Sequence, residues 1–138
     1  MVLILFYYIC VMIARVITEN IKEDWDLKKA IILLGPRQVG KTTLIQSFVA
    51  NKNALFLNGD DPQVRLQLSN ANFNFLKNLV SDYEVIVIDE AQRIENIGIT
   101  VKMLVDAKLE KQFILTGSSS LDLSNQINEP LTGRKWEH

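Results

Sequence analysis

Ala30-Ile31-Ile32-Leu33-Leu34-Gly35-Pro36-Arg37-Gln38-Val39-Gly40-Lys41-Thr42 is an unbroken apolar pentapeptide running into a glycine-framed loop. A five-residue run with no polar face suits a parallel strand covered on both sides. Gly35 and Pro36 end it, and helical character resumes at about Lys41 and lasts to about Ala50. The loop matches G-x-x-x-x-G-K-[ST] at every fixed position, in the strand-to-helix setting that pattern requires. Its chemistry follows from the residue types. Backbone N–H groups at a helix N-terminus converge on one point and favour an anion there. Gly35 and Gly40 permit the positive φ and close approach of such a cradle. Lys41 is expected to reach the β- and γ-phosphates of a nucleoside triphosphate, and the Thr42 hydroxyl a magnesium ion. For Arg37 two readings stand, phosphate contact and a solvent-facing side chain.

Outward from this loop, apolar runs and turn signals alternate with helical stretches. Ala54–Leu57 is a second strand, closed by Asn58-Gly59. Residues 62–80 read as one or two helices, with Val64, Leu66, Leu68, Phe73, Phe75, Leu76 and Leu79 as apolar contacts. Val85–Ile88 is a third strand. A helix over about 96–109 is expected to bury Ile99, Val101, Leu104 and Val105. Phe113–Leu115 is a fourth strand, and a short polar helix follows Ser118. This alternation predicts an α/β three-layer sandwich, a parallel sheet of about four strands with helices on both faces.

The third strand ends in Asp89-Glu90. An acid there lies at the carboxyl edge of the sheet, where ligands of open α/β sheets sit. Asp89 is expected to hold magnesium, and Glu90 to polarise an attacking water. Thr116 and Ser118 end the fourth strand. If that strand runs between the first and third, a hydroxyl there reaches the water or the γ-phosphate; the alternative is a local Gly-Ser turn. Arg134 reads either as a solvated residue near the terminus or as a charge for the γ-phosphate. Asp60 and Asp61 are read as serving the turn and the next helix N-terminus, ahead of a metal role.

The chain has 138 residues, 48% of them hydrophobic, enough for one core. Its net charge of −1 gives nucleic-acid binding no support. One cysteine, Cys10, forms no internal disulfide. One histidine, His138, is the last residue, which sets histidine catalysis aside. The location is read as cytoplasmic. Residues 1–14 carry no charge. Three readings stand for them: an apolar extension (1–11) upstream of a start at Met12, a core or partner-facing helix, and membrane contact, for which the run is short. From Met12 an amphipathic helix is expected, with Ile13, Val16, Ile17 and Ile21 on one stripe.

Omissions narrow the class. The sole Asn-Lys pair, Asn51-Lys52, lacks the spacing of a guanine-reading N-K-x-D segment, and there is no L-S-G-G-Q stretch or arginine-rich lid. A hydrolase-type ATPase remains. The strings GPRQVGKTTLI, VIVIDEAQRIENIG, FILTGSSSLDLS and LTGRKWE, in that order, resemble the AAA-type core of a prokaryotic family of ATP-binding proteins. The resemblance covers about residues 12–137. It implies phosphate contacts over Gly35–Thr43 (Gly35, Pro36, Arg37, Gln38, Val39, Gly40, Lys41, Thr42 and Thr43). It also implies metal and water handling at Asp89 and Glu90, and a sensor-like polar position at Thr116 or Ser118. Arg134 matches the family's Gly-Arg pair. In that family the core continues into a lid and a C-terminal domain, so the fifth strand and lid are expected to be missing or unrecognisable here and the core over 12–138 incomplete. The expected ligands are ATP and magnesium, with an unidentified protein partner. Two alternatives are a nucleotide-binding switch without useful turnover and an ATPase associated with nucleic acid.

Overall fold

The computed structural model describes residues 15–25, 29–118 and 120–138. The apolar segment 1–14, including Ile13 of the expected stripe, lies outside them. Five parallel strands form one sheet in the order β2-β3-β4-β1-β5: β1 (Ala30–Leu34), β2 (Ala54–Asn58), β3 (Val85–Asp89), β4 (Gln112–Gly117) and β5 (Lys135–Glu137). Residues 15–25 are helical (α1). The remaining helices are α2 (Lys41–Phe48), α3 (Pro62–Leu68), α4 (Phe73–Val80), α5 (Ile97–Asp106) and α6 (Ser120–Ile127).

The period-two alternation of the strands divides the core. Ile31, Leu33, Val85, Val87 and Ile114 face α1 and α2, meeting Ile17, Ile21, Trp25 and Ile45. Ala30, Ile32, Ile86, Ile88, Phe113 and Leu115 face the other layer, meeting Leu68, Leu76, Val101, Leu104 and Leu123. Both faces of the central strands are covered, which is why they read as continuous apolar runs. Among the described residues, no helix is long and apolar enough to cross a membrane.

The parallel α/β sheet is as expected but has five strands instead of about four, and the fifth, expected to be missing or unrecognisable, is in place. β5 is present and pairs in parallel with β1, Ala30 opposite Lys135 and Ile32 opposite Glu137. Lys-Trp-Glu has no apolar run to announce it. Its pairing is built from backbone, with Ala30 N donating to Arg134 O at 2.8 Å and His138 N to Ile32 O at 2.8 Å. Lys29 also lies over the Trp136 ring, 4.5 Å from its centroid. Several expected core residues face solvent instead: Val16, Leu66, Phe73, Phe75 and Ile99. Each lies on a helix with a single buried stripe. Leu66 is two residues, roughly 200° of helix, from the buried Leu68, and Ile99 is likewise two residues from the buried Val101.

Candidate functional site

β4 lies between β1 and β3, so the loop after β1, the acids after β3 and the hydroxyls after β4 share one sheet edge. Gly35 N donates to Gly117 O at 3.3 Å and ties the loop's start to the end of β4. Pro36–Gly40 are exposed, as is Thr43. Gly40 caps α2 with φ 88°, and no side chain caps that helix. Among the described residues, the first-turn N–H groups therefore have no side-chain cap. Gln38 shares the left-handed region, with φ 61°. Lys41 folds back over the loop, its Nζ donating to Gly35 O at 2.8 Å and Pro36 O at 2.7 Å.

Asp89 is the hub of the edge. Thr42 Oγ1 donates to its Oδ2 at 2.8 Å. Its Oδ1 accepts from Thr116 Oγ1, and from Glu90 N at 3.2 Å. Thr116 is fully buried, so its hydroxyl braces Asp89 from below. Ser118, one step further out, is half-buried and lines a cleft with Arg37, Arg93 and Asn125. Glu90 takes φ 49° and opens a 3-10 turn over Ala91–Arg93. That reversal brings Gln92 back onto the acid: its Nε2 donates to Glu90 Oε2 at 2.6 Å and to Ser118 Oγ at 2.9 Å.

The acids after β2 divide in role. Asp61 caps α3, its Oδ1 accepting from Gln63 N at 2.8 Å. Asp60 instead faces two guanidinium groups, Arg37 at 3.8 Å and Arg93 at 3.5 Å, all half-exposed. Sequence reasoning missed Gln92, Arg93 and the Asp60–Arg37 pair. The first two lie just beyond Asp89-Glu90, and only the left-handed turn at Glu90 turns them toward the loop. Arg134 sits elsewhere. Its carbonyl pairs with Ala30 at the start of β1, and its Nε meets Asp106 Oδ1 at 2.5 Å. The length of β1, roughly 15 Å, separates it from the loop.

The family profile described as "AAA domain" matches residues 27–138. Uncharacterized proteins of Mycobacterium bovis and Mycobacterium tuberculosis are each 32% identical to the chain over 105 residues. That alignment takes in 75% of this chain and 23% of each relative, so the chain spans about a quarter of their length. Among solved structures, the Walker-type ATPase PABY2304 of Pyrococcus abyssi superposes with a TM-score of 0.63 at 17% identity, over 87% of this chain and 51% of its own. The RuvB Holliday junction branch migration motor of Thermotoga maritima gives 0.54 at 20% identity, over 87% and 44%. Both likenesses are of fold.

Proposed function

The chain belongs to the AAA-domain family, and from that premise we propose that it binds ATP with magnesium at Gly35–Thr43 and hydrolyses it. The observation that carries this reading is Asp89, bonded at once to Thr42 of the loop and to Thr116 of β4, with Glu90 beside it. Thr42 Oγ1 and Asp89 Oδ2 are hard oxygen donors 2.8 Å apart. They suit magnesium, which takes few protein ligands and completes its shell with waters and phosphate oxygens. Held there by Thr42 and Asp89, magnesium would supply positive charge against the phosphates.

The chain's own groups do the rest. The uncapped N–H groups of α2 and the Lys41 ammonium hold the phosphates, Lys41 exchanging the carbonyls of Gly35 and Pro36 for phosphate oxygens. Glu90 accepts a proton from a water whose oxygen attacks the γ-phosphorus, while the bond to the β–γ bridging oxygen breaks and ADP leaves. Ser118, just beyond β4, accepts from Gln92 and uses its own O–H to orient that water or the γ-phosphate. The cycle would drive a conformational change in a protein partner.

Phosphate release from the chain with magnesium and ATP tests this reading. Glu90→Gln is expected to lower it by roughly 10²–10⁴ with ATP binding retained, and Lys41→Ala to abolish binding. Equal release from wild type and Glu90→Gln overturns hydrolysis. A second reading, a nucleotide switch without useful turnover, is favoured by Arg134, which lies at the opposite sheet edge and brings no charge to phosphates in the same molecule. It requires ATP binding lost in Lys41→Ala and no effect of Glu90→Gln on release.

A further inference from the structure

We propose that Gln92 is a positioning residue: it sets the orientation of the Glu90 carboxylate and couples it to Ser118. The inference deepens the hydrolysis reading of Glu90 and rests on it. Gln92 is built into the edge from both ends. Its carbonyl oxygen accepts from Gln126 Nε2 of α6 at 3.1 Å, and its side-chain nitrogen reaches Glu90 Oε2 at 2.6 Å and Ser118 Oγ at 2.9 Å. The carboxylate is an obligate acceptor when ionised, so the amide end facing it is the nitrogen.

Its other end is the telling one. Gln92 Oε1 is buried without a hydrogen-bond partner among the described residues. Burying an unpaired acceptor costs stability, and an apolar side chain would avoid that cost. What the amide supplies in exchange is its two donors. Space for it comes from Gly117, where a Cβ would lie 3.1 Å from Gln92 Oε1 and 2.7 Å from Leu123 Cδ2.

The consequence is mechanical. With Oε2 tied to Gln92, rotation of the carboxylate is restricted and Oε1 is left to meet the water. Because the same nitrogen reaches Ser118, a change at the tip of β4 on γ-phosphate arrival or loss passes to Glu90 without crossing the sheet. Misplacing a catalytic group by about 1 Å can cost 100-fold in rate.

Two measurements on the full chain test this. In nucleotide-free, ¹⁵N-labelled protein, the Gln92 side-chain amide signals are expected to shift in both Glu90→Ala and Ser118→Ala. If they respond to neither, the inference is overturned whatever the turnover. In steady-state phosphate release, Gln92→Glu keeps the shape and replaces the donor by an acceptor, while Gln92→Met removes the donor without adding charge. Both are expected to lower kcat by roughly 10- to 100-fold and leave KM within about twofold. Wild-type kcat in both, beside a Glu90→Gln variant that has lost release, overturns the positioning role and leaves hydrolysis standing. Unchanged release in Glu90→Gln itself removes the hydrolysis reading and the positioning role together.

Discussion

Thr42 and Asp89, 47 residues apart in the chain, meet at 2.8 Å, hydroxyl to carboxylate. The contact joins the first turn of α2 to the tip of β3, and Thr116 bonds the other oxygen of the same carboxylate. Thr42 is only partly buried, so its removal affects the ligand set more than the core. Hydrogen bonds to charged groups contribute about 1.5–3 kcal/mol. Thr42→Ala is therefore expected to weaken ATP binding roughly 10- to 100-fold in magnesium. In EDTA it should match wild type. Titration with a fluorescent ATP analogue under both conditions separates a metal-linked role from a general one, and an equal loss in EDTA contradicts the metal assignment.

The acids after β2 are adjacent and differ in what they hold. Asp61 caps α3 through Gln63 N, with Pro62 at the first helical position. Loss of such a cap costs about 1 kcal/mol. Asp60 makes two half-exposed ion pairs at 3.5 and 3.8 Å, and exposed pairs contribute about 0–1 kcal/mol. In urea unfolding Asp61→Ala is expected to be the more destabilising of the two. The reverse order would mean that the Arg37–Asp60–Arg93 group anchors the loop more firmly than its exposure implies.

These two residues also mark what could be read in advance. Asp61 was legible as a helix start because Asp-Pro carries a local signal, and β1 and β3 were legible because strands covered on both faces leave no polar position to blur the run. Asp89 and Glu90 followed from the end of β3. Asp60 and Gln92 were not legible. Asp60 meets Arg37 and Arg93 on other elements, and Gln92 reaches Ser118 and turns back onto Glu90 through the left-handed backbone at Glu90, a conformation that glutamate does not announce. β5 escaped notice for a different reason. Its three residues are held by pairing with β1 and not by a hydrophobic pattern of their own.

Gly98 lies buried within α5, and a Cβ there would stand 2.1 Å from the carbonyl oxygen of Gln126 and 3.2 Å from the Cα of Ile127. Two effects oppose each other on substitution. Alanine gains up to about 1 kcal/mol in helix propensity, while overpacking against backbone costs typically 1–3 kcal/mol. At 2.1 Å the obstacle is backbone that cannot rotate away, so the clash should win. Gly98→Ala is expected to destabilise by about 1–2 kcal/mol in urea unfolding. It should also disturb turnover, because Gln126 of the displaced α6 holds Gln92. A stabilised variant would mean that α6 moves aside at little cost.

Arg134 tests the topology itself. It is the residue before β5, its carbonyl bonded to Ala30 and its guanidinium to Asp106 at the end of α5. Ala30 begins β1 at the end of the sheet opposite the loop, roughly 15 Å away along that strand, and Asp106 ends α5 beside Arg134. An arginine so placed supports the seating of β5 and does not touch nucleotide in the same molecule. Arg134→Ala is therefore expected to leave ATP affinity within about twofold of wild type. The ion pair it loses is partly exposed, so stability should fall by no more than about 1 kcal/mol, a shift of a few degrees in Tm. Asp106→Ala should reproduce that shift, and the double variant should add little to either, since one contact is shared. Affinity measured by calorimetry in dilute protein decides the matter. A tenfold loss in Arg134→Ala alone, without the same loss in Asp106→Ala, would require the guanidinium to leave Asp106 and cross the sheet edge, which the pairing of β5 with β1 forbids.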